Sequence, residues 1–377
     1  MVFLKNEGPL PKGPLSPCNR DEVSKIMKYA CQHGVHVYTN AAQLPVKTGT
    51  SLWLHLEKMD KIIELDCANL VAIVEPGVTL GQLRKALQEE KLCFPPATPE
   101  KDDFTVGEFY GWGMSSLKGL RYGAAKYHVL GLEVVLANGE LLKTGGKTVK
   151  NVTGYDLTRL FLSSRETLGV PVSYILKLAP FPEQRQYLVL RAKDEPVLLN
   201  LVRAILGKGV TPACLSFIDK KTLRISKVQE DEAWLGILCE GFNEAVQEQV
   251  AQILGMAEEV QVRWEQVEEE RFFQQLSIPE KSGALALKES FKLPMSKWPE
   301  LYSSGLSPLL PGVWGQVGEG KVNILLEEGA QLDGFTELLY LLGGIRSEQR
   351  PSPLSIGLKK ALDPLGILNP WTEGEEV

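Results

Sequence analysis

The chain has 377 residues, of which 44% are hydrophobic and 23% are charged, and its formal net charge is −6 at pH 7. This length predicts two domains, since one domain usually has about 100–200 residues, and the composition excludes the disordered and fibrous classes. The acidic balance and the lack of a Lys/Arg cluster disfavour nucleic-acid binding.

The N-terminal segment MVFLKNEGPLPKGPLSP lacks the apolar core of a signal peptide. No uncharged run approaches the ~20 residues that a membrane span requires. We therefore expect a cytoplasmic protein without a direct membrane span. The cysteines are widely spaced with no C-x-x-C pair, which disfavours a zinc or iron–sulfur site and predicts buried free thiols. They are Cys18, Cys31, Cys67, Cys93, Cys214 and Cys239.

Periodic patterns predict the first elements of the chain. Apolar residues at helical spacing predict a helix over residues 21–33, and a short strand follows at 36–38. Two apolar clusters within residues 61–80 predict a hairpin. Thr79, with Gln82 three residues later, predicts a capping box that opens the next helix. Farther along, Asn138-Gly139 lies between two β-rich runs and predicts a second hairpin.

A domain boundary is predicted at Ala179-Pro180-Phe181-Pro182-Glu183, where two prolines close a strand. The pattern beyond it predicts a β-α-β-β-α-β succession, which is typical of a ferredoxin-like domain. Its elements are expected at residues 187–191, 197–206, 213–218, 234–240, 244–256 and 260–264. After residue 344 a polar connector leads to a short helix and a tail, which we expect to pack back on the first domain.

A family resemblance is carried by four segments: VAIVEPGVTLGQL (71–83), GLRYGAAKYHVLGLEVVLANGELLKTGG (119–146), KNVTGYDLTRL (150–160) and LKKALDPLGILNP (358–370). They resemble the FAD-linked oxidases of the vanillyl-alcohol oxidase, or PCMH, type. The third segment is similar to the second flavin-domain subunit of bacterial glycolate oxidases. The resemblance implies an α+β fold: a two-part FAD-binding domain at residues 1–183, a ferredoxin-like cap at 184–345, and a segment at 346–377 that returns to the FAD-binding domain.

The resemblance also implies FAD as the cofactor and a set of residues around it. By analogy, the turn Pro76-Gly77-Val78 lies against the adenosine diphosphate half and Asn369 faces the flavin. The implied cofactor-binding residues are Pro76, Gly77, Val78, Gly107, Tyr122, Gly123, Gly154, Thr167, Leu168, Gly169 and Asn369.

Three loops depart from the family's glycine-rich pattern. The first is Thr39-Asn40-Ala41-Ala42-Gln43 in place of a glycine run, the second is Gly107-Glu108 in place of Gly-Gly, and the third is SSRETLG (163–169) in place of Gly-Ser-x-Gly-Thr-Leu-Gly. A diphosphate needs convergent backbone N–H groups, and glycine lets the chain approach it closely. Either FAD is held in an altered way, with Arg165 or Lys147 offsetting phosphate charge, or the fold persists without flavin.

The predicted cap also departs from relatives that oxidise 2-hydroxy acids, which carry a His-x-Gly-x-Gly-x-x-His motif of metal ligands. The corresponding segment here is QVGEGKVN (316–323). The four histidines are His33, His36, His55 and His128, so the cap has none. No imidazole base or histidine-held metal can come from the cap. No catalytic or metal-ligating residue is therefore assigned.

The resemblance to a subunit, together with the missing histidines, implies a flavin-domain subunit of a glycolate- or lactate-oxidising complex. Its role would be electron transfer or structure, beside a catalytic flavin subunit and an iron–sulfur subunit. One alternative is a flavin-free pseudo-enzyme whose degenerate pocket serves as an interface. Another is a self-sufficient FAD oxidoreductase of a different substrate, with Tyr302 or Glu268 as its acid or base.

Overall fold

A computed structural model describes residues 14–39, 51–147, 156–162, 164–277, 288–303, 311–325, 333–346 and 353–370. Within these ranges no helix is both long and apolar enough to cross a membrane. The elements form one antiparallel sheet with helices in the first half of the chain and a larger sheet with helices in the second half.

The described residues of the first half form a five-stranded sheet, a parallel strand pair and five α-helices. In chain order these elements and the short strands are α1 (Arg20–His33), β1 (His36–Thr39), β2 (Ser51–Leu54), β3 (Ile62–Asp66), β4 (Val71–Val74), α2 (Leu80–Glu89), β5 (Leu92–Cys93), α3 (Val106–Gly111), α4 (Gly119–Tyr122), β6 (Val129–Val135), β7 (Leu141–Gly145), α5 (Leu157–Leu162), β8 (Val170–Lys177) and β9 (Ala179–Pro180). The sheet has the order β3-β4-β8-β6-β7, and all of its pairs are antiparallel.

Local sequence signals account for these elements. Asn19 caps the start of α1 by accepting a hydrogen bond from the Glu22 amide, and Gly34 ends the helix at φ +64°. The predicted helix is confirmed, and so are the hairpins β3–β4 and β6–β7. Gly139 turns the second hairpin at φ +79°, which is the conformation that Asn-Gly favours. The predicted capping box of Thr79 and Gln82 is also confirmed.

The first domain has two hydrophobic cores, which agrees with its two-part character. One core lies between the five-stranded sheet and the helices α2 and α3. The other joins α1, β1 and β2 to Val135 at the end of β6 and to Val170 and Val172 at the start of β8. The prediction of buried thiols is wrong for Cys18 and Cys67, which are exposed, and right for Cys214 and Cys239 in the second half.

The second half forms an eight-stranded antiparallel sheet. Its elements are β10 (Gln184–Ala192), α6 (Glu195–Gly207), β11 (Cys214–Ile218), α7 (Lys220–Ile225), β12 (Ala233–Gly241), α8 (Asn243–Glu259), β13 (Arg263–Val267), α9 (Glu269–Leu276), β14 (Lys288–Lys292), α10 (Trp298–Ser303), β15 (Gly312–Gln316), β16 (Lys321–Leu325), α11 (Asp333–Leu341) and β17 (Ile345–Arg346). The strand order is β13-β10-β12-β11-β15-β16-β14-β17. Its first four strands, with α6 and α8, give the predicted ferredoxin-like arrangement, and four further strands extend it.

The last helix, α12 (Pro353–Leu362), leads the chain back to the first domain. Beyond it, Ile367 and Leu368 are buried in the core around α1 and β1. The Val37 amide donates to the Ile367 carbonyl at 2.8 Å, and the Asn369 amide donates to the Val37 carbonyl at the same distance. Residues 367–369 are thus hydrogen bonded along β1, beside the position where the first predicted loop begins.

Candidate flavin site

The turn Pro76-Gly77-Val78 and Gly107 contact each other. The Gly107 amide donates to the Pro76 carbonyl at 2.8 Å, and the Gly77 amide donates to the Met59 carbonyl at 2.7 Å. A Cβ on Gly77 would lie 2.6 Å from the Leu56 carbonyl oxygen, and one on Gly107 would lie 3.1 Å from the Pro76 carbonyl oxygen. Close backbone packing therefore requires glycine at position 77 and leaves little room for a larger residue at 107.

The helix α3 begins with a capping box made by Thr105 and Glu108. The Glu108 amide donates to Thr105 Oγ1 at 3.1 Å, and Glu108 Oε2 accepts from the Thr105 amide at 3.0 Å. This reciprocal pair satisfies N–H groups that a helix start would otherwise offer to an anion. The glutamate at the family's second glycine position therefore caps its own helix.

The third loop, described over residues 164–169, keeps a left-handed backbone without the family's glycine. Arg165 has φ +49° and Glu166 has φ +58°, a conformation that costs an ordinary L-residue about 1–2 kcal/mol. Thr167 Oγ1 donates to the Ser164 carbonyl at 2.6 Å and closes the turn. A Cβ on Gly169 would collide with Val134, so this glycine is needed for packing.

Asn369 ties the third loop to the end of β1. Its Oδ1 accepts from the Thr39 amide at 2.9 Å, and its Nδ2 donates to Thr39 Oγ1 and to the Glu166 carbonyl at 3.0 Å each. The side chain is fully buried. Its position holds together two of the three predicted loops, and the prediction that it faces the flavin stays a prediction.

A buried lysine, Lys359 of α12, reinforces the same junction. Its Nζ donates to the Thr167 carbonyl at 2.7 Å, to the Leu368 carbonyl, and to Asp363 Oδ2 at 2.6 Å. Asp363 also accepts from the Ile367 and Leu368 amides at 3.1 and 2.9 Å. Sequence reasoning missed this pair, although a lysine and an aspartate four residues apart in KKALD are a recognisable helical ion-pair signal.

Glu166 is the most unusual side chain of the junction. It is 2% exposed, and neither carboxylate oxygen has a hydrogen-bond partner of acceptable geometry among the described residues. Burial raises its pKa to about 7; the nearby Thr39 side chain lowers this pKa, whereas the charge of Glu108 raises it. Its charge also raises the pKa of the buried Tyr174 phenol, after burial itself. The carboxyl of Glu166 therefore interacts with groups at all three predicted loops or beside them.

Two candidate cations near the loops differ in their surroundings. Lys147 forms an ion pair with Glu64 at 2.6 Å, and both side chains are largely exposed. Arg165 is half-buried, burial lowers its pKa, and it has no ion pair with any described carboxylate. Of the two residues expected to offset phosphate charge, Arg165 is the one left without a carboxylate partner in the described part of the chain.

Tyr122 and Gly123 lie at the boundary with the second domain. Lys118, just before α4, pairs with Glu240 of β12 at 3.1 Å, and both side chains are buried. Burial raises the pKa of Tyr122, with a further contribution from Glu240. The Gly123 amide donates to the Gly119 carbonyl at 2.8 Å, with Gly123 at φ +82°. No described contact joins these two predicted residues to the third loop, and their role in binding the cofactor stays a prediction.

The cap segment 316–323 forms the turn between β15 and β16. Asn323 lies opposite Trp314 in the strand pair, and its Oδ1 accepts from Ser290 Oγ at 2.7 Å. Gln316 is buried, and its Oε1 has no described partner. In the described ranges, no three His, Cys, Asp or Glu side chains come together in a metal-binding group.

The acidic run Glu268–Glu270 forms the N-cap and first two residues of α9, beside the first domain. Glu269 pairs with Arg185 at 2.7 Å and accepts from the Tyr187 hydroxyl at 2.8 Å. The run lines a cleft of about 590 Å³ together with Arg84 and residues 99–103. Glu268 and Glu270 are exposed, whereas Glu269 is half-buried by its contacts with Arg185 and Tyr187.

Two family models match this chain on either side of the domain boundary. The FAD binding domain matches residues 11–145, and the C-terminal domain of FAD linked oxidases matches residues 181–302. Together these segments make up more than half of the sequence. The chain belongs to the FAD-linked oxidase family.

Similar proteins in this family act on hydroxy acids. The chain is 36% identical over 233 residues to the glycolate oxidase subunit GlcD of Bacillus subtilis, covering 60% of this chain and 49% of the relative. It is 33% identical over 257 residues to the D-lactate dehydrogenase of Archaeoglobus fulgidus, covering 64% and 57%. The chain thus spans about half the length of the curated relatives it matches.

Solved structures share the fold across nearly the whole chain. An alkyldihydroxyacetonephosphate synthase superposes with a TM-score of 0.78 at 14% identity, covering 96% of this chain and 77% of the other. The p-cresol methylhydroxylase with bound substrate superposes with a TM-score of 0.70 at 18% identity, covering 94% and 87%. These likenesses establish the PCMH-type α+β fold.

FAD is the cofactor of this family, and the described residues permit a test of its fit. The amides of Gly77, Val78 and Gly107 hydrogen bond within the protein, so they shape the site without offering N–H groups to a diphosphate. A charged Glu166 is only an acceptor, whereas a protonated one can donate to a phosphate oxygen. A diphosphate beside Glu166 would therefore require the neutral carboxyl. Gly154 and residues 40–43 of the first loop lie outside the described ranges.

Proposed function

We propose that this chain is a flavin-domain subunit of a complex that oxidises 2-hydroxy acids such as glycolate or lactate. Its role is electron transfer or structural support, and the chemistry belongs to a separate catalytic flavin subunit. An iron–sulfur subunit is the expected electron acceptor. The similarity to a glycolate oxidase subunit and to a D-lactate dehydrogenase supports the substrate class.

The composition of the cap carries the proposal that this subunit is not the catalytic one. Removing a proton from a hydroxyl needs a base within hydrogen-bond reach, and histidine is the side chain that most often serves. The segment 316–323 presents Gln316 and Asn323, and neither amide side chain titrates or serves as a base. All four histidines lie before residue 129.

Tyr302 and Glu268 do not supply the missing base. Tyr302 is enclosed in the cap core, where its hydroxyl donates to Asp219 Oδ2 at 3.2 Å. Its pKa is raised well above the ordinary value by burial, which opposes the anionic form a base would need. Glu268 is the N-cap of α9 and lines the acidic cleft beside Arg84. These surroundings disfavour the self-sufficient oxidoreductase.

Anaerobic reduction of the bound flavin tests the proposed role. FAD, when bound, would supply the redox chemistry of the family. The FAD-loaded chain is mixed with glycolate or D-lactate and its visible spectrum is followed, with dithionite as the control that shows a reducible flavin. We expect no bleaching by either acid. Bleaching at the rate of a normal enzyme would make this chain catalytic and would refute the proposal.

A second candidate is a flavin-free scaffold subunit. The capping box at Thr105 and Glu108 favours it, because the protein satisfies donors at the family's second loop by itself. The same preparation separates the two candidates. A chain that takes up no FAD at any pH is a scaffold, whereas FAD released on denaturation in amounts near one per chain excludes that role.

A further inference from the structure

Glu166 lies where the three predicted loops meet. Its own residue belongs to the third loop, its carboxyl interacts with Thr39 at the start of the first, and the charge of Glu108 in the second acts on it. Asn369 fixes its backbone by donating to its carbonyl at 3.0 Å. A buried carboxylate is therefore held among the loops at which the family resemblance places the phosphates of the cofactor.

No described cation neutralises this carboxylate. Lys359, which binds the next residue of the loop, is already paired with Asp363 at 2.6 Å. Arg165 precedes Glu166 but forms no ion pair with a described carboxylate. A buried charge normally has a partner or a metal, because removing it from water is costly. Among the described residues, the titratable and charged groups around Glu166 are Glu108, Tyr174, Arg165 and the Lys359–Asp363 pair.

We propose that Glu166 makes FAD binding conditional on a proton, so that the neutral acid admits the diphosphate and the charged carboxylate repels it. Two negative groups in a low-dielectric site repel each other strongly, whereas the neutral acid can donate its O–H to a phosphate oxygen. The pKa of about 7 places this change within the range that cells experience. FAD occupancy then falls as pH rises.

The proposal concerns the FAD site and does not rest on the role of the chain as a subunit. Whether the chain oxidises a hydroxy acid has no bearing on it. Equal FAD affinity at both pH values would contradict this proposal alone, whereas the absence of any FAD binding would also contradict the flavin-containing role. The charge of Glu166 should change the affinity for a ligand that carries the diphosphate, and should leave the affinity for a flavin without phosphate unchanged.

The test is a titration of the flavin-stripped full chain with FAD at pH 6 and pH 8, at constant ionic strength, followed by the loss of flavin fluorescence. Wild-type affinity should be about tenfold lower at pH 8, because the fraction of chains with a neutral Glu166 falls by that factor. Glu166→Gln should bind FAD equally at both pH values. Glu166→Gly, with the family's residue, should do the same.

Two controls sharpen the outcome. Glu89→Gln makes the same chemical change at an exposed carboxylate of α2 and should keep the wild-type pH dependence. Riboflavin, which lacks phosphate, should bind the wild type equally at both pH values. Circular dichroism establishes that each variant is folded, and the wild-type comparison of FAD with riboflavin needs no variant. Equal FAD affinity at both pH values in the wild type, or no FAD binding at either, would overturn the proposal.

Discussion

Two buried charged side chains surround the third loop, and only one of them is neutralised. Lys359 donates to Thr167, Leu368 and Asp363, so each of its three N–H bonds has an acceptor. Glu166, one residue before Thr167, has two carboxylate oxygens without a described hydrogen-bond partner. Both side chains are less than 10% exposed.

This difference distinguishes a structural ion pair, Lys359 with Asp363, from a buried carboxyl that is available to a ligand, Glu166. A buried ion whose hydrogen bonds are all made fixes the chain, because moving it would leave charges unpaired. A buried ion without partners costs stability and persists only where something else compensates. We infer that Lys359 and Asp363 hold residues 367–369 on the first domain, and that Glu166 interacts with the diphosphate of FAD.

The largest effect should come from breaking the Lys359–Asp363 pair. Asp363→Asn leaves a buried ammonium group without its counter-ion, which costs about 3–5 kcal/mol of unfolding free energy. Urea denaturation measures the loss. The matched control is Lys297→Ala in the exposed pair with Glu300, which should cost less than about 0.5 kcal/mol. Similar losses in both variants would mean that the buried pair stabilises the fold no more than the exposed pair does.

Glu166→Gln should raise the free energy of unfolding, and it should do so only at high pH. Between pH 4.5 and about 7 the folded chain keeps a proton at Glu166 that the unfolded chain releases. The stability that the protonated carboxyl contributes is therefore complete below pH 4.5 and is lost as pH rises through about 7. At pH 8 the variant should be more stable by about 3 kcal/mol, and at pH 4 the two should be nearly equal. Denaturation curves that differ equally at both pH values would contradict the buried, unpaired carboxyl.

Asn369→Ala tests whether the amide side chain joins β1 to the third loop. Its removal leaves the buried Thr39 amide and the Glu166 carbonyl without their partners, and we expect a loss of about 2 kcal/mol. Hydrogen exchange of the Thr39 amide should accelerate more than that of amides in β8. Unchanged exchange at Thr39 would mean that the backbone holds the junction without the side chain.

The smallest effect should come from the helix cap at the second loop. Thr105→Ala removes one half of the capping box with Glu108 and should cost about 1 kcal/mol. Thr79→Ala, in the equivalent box of α2, is the matched control and should cost about the same. A much larger loss at Thr105 would mean that this cap also organises the site.

Local signals were sufficient to predict much of the fold. The helical spacing before His33, the Thr79 capping box and the Asn138-Gly139 turn all depend on residues close in sequence. The four strands β14 to β17 were not predicted. β14 pairs with β16 and β17, which are distant in sequence, and the local hairpin β15–β16 lacks clean alternation.

The candidate site was predictable only in outline. The resemblance indicated Gly107, Thr167 and Asn369. In the structure, Asn369 donates to the Glu166 carbonyl of the third loop, and Lys359 donates to the Thr167 carbonyl. The resemblance could not reveal that Glu166 is buried without a partner, because burial and hydrogen bonding come from segments up to 203 residues apart in sequence. The spacing of Lys359 and Asp363 indicated an ion pair, but their burial and the backbone acceptors of Lys359 depend on the fold.

The visible spectrum of the purified chain tests the central claim most directly. The full chain is incubated with FAD at pH 6, passed through a desalting column and denatured by heat, and the flavin in the supernatant is measured. The account predicts flavin bands on the folded protein and close to one FAD released per chain. A colourless protein that releases no FAD would contradict it and would leave the fold as a scaffold.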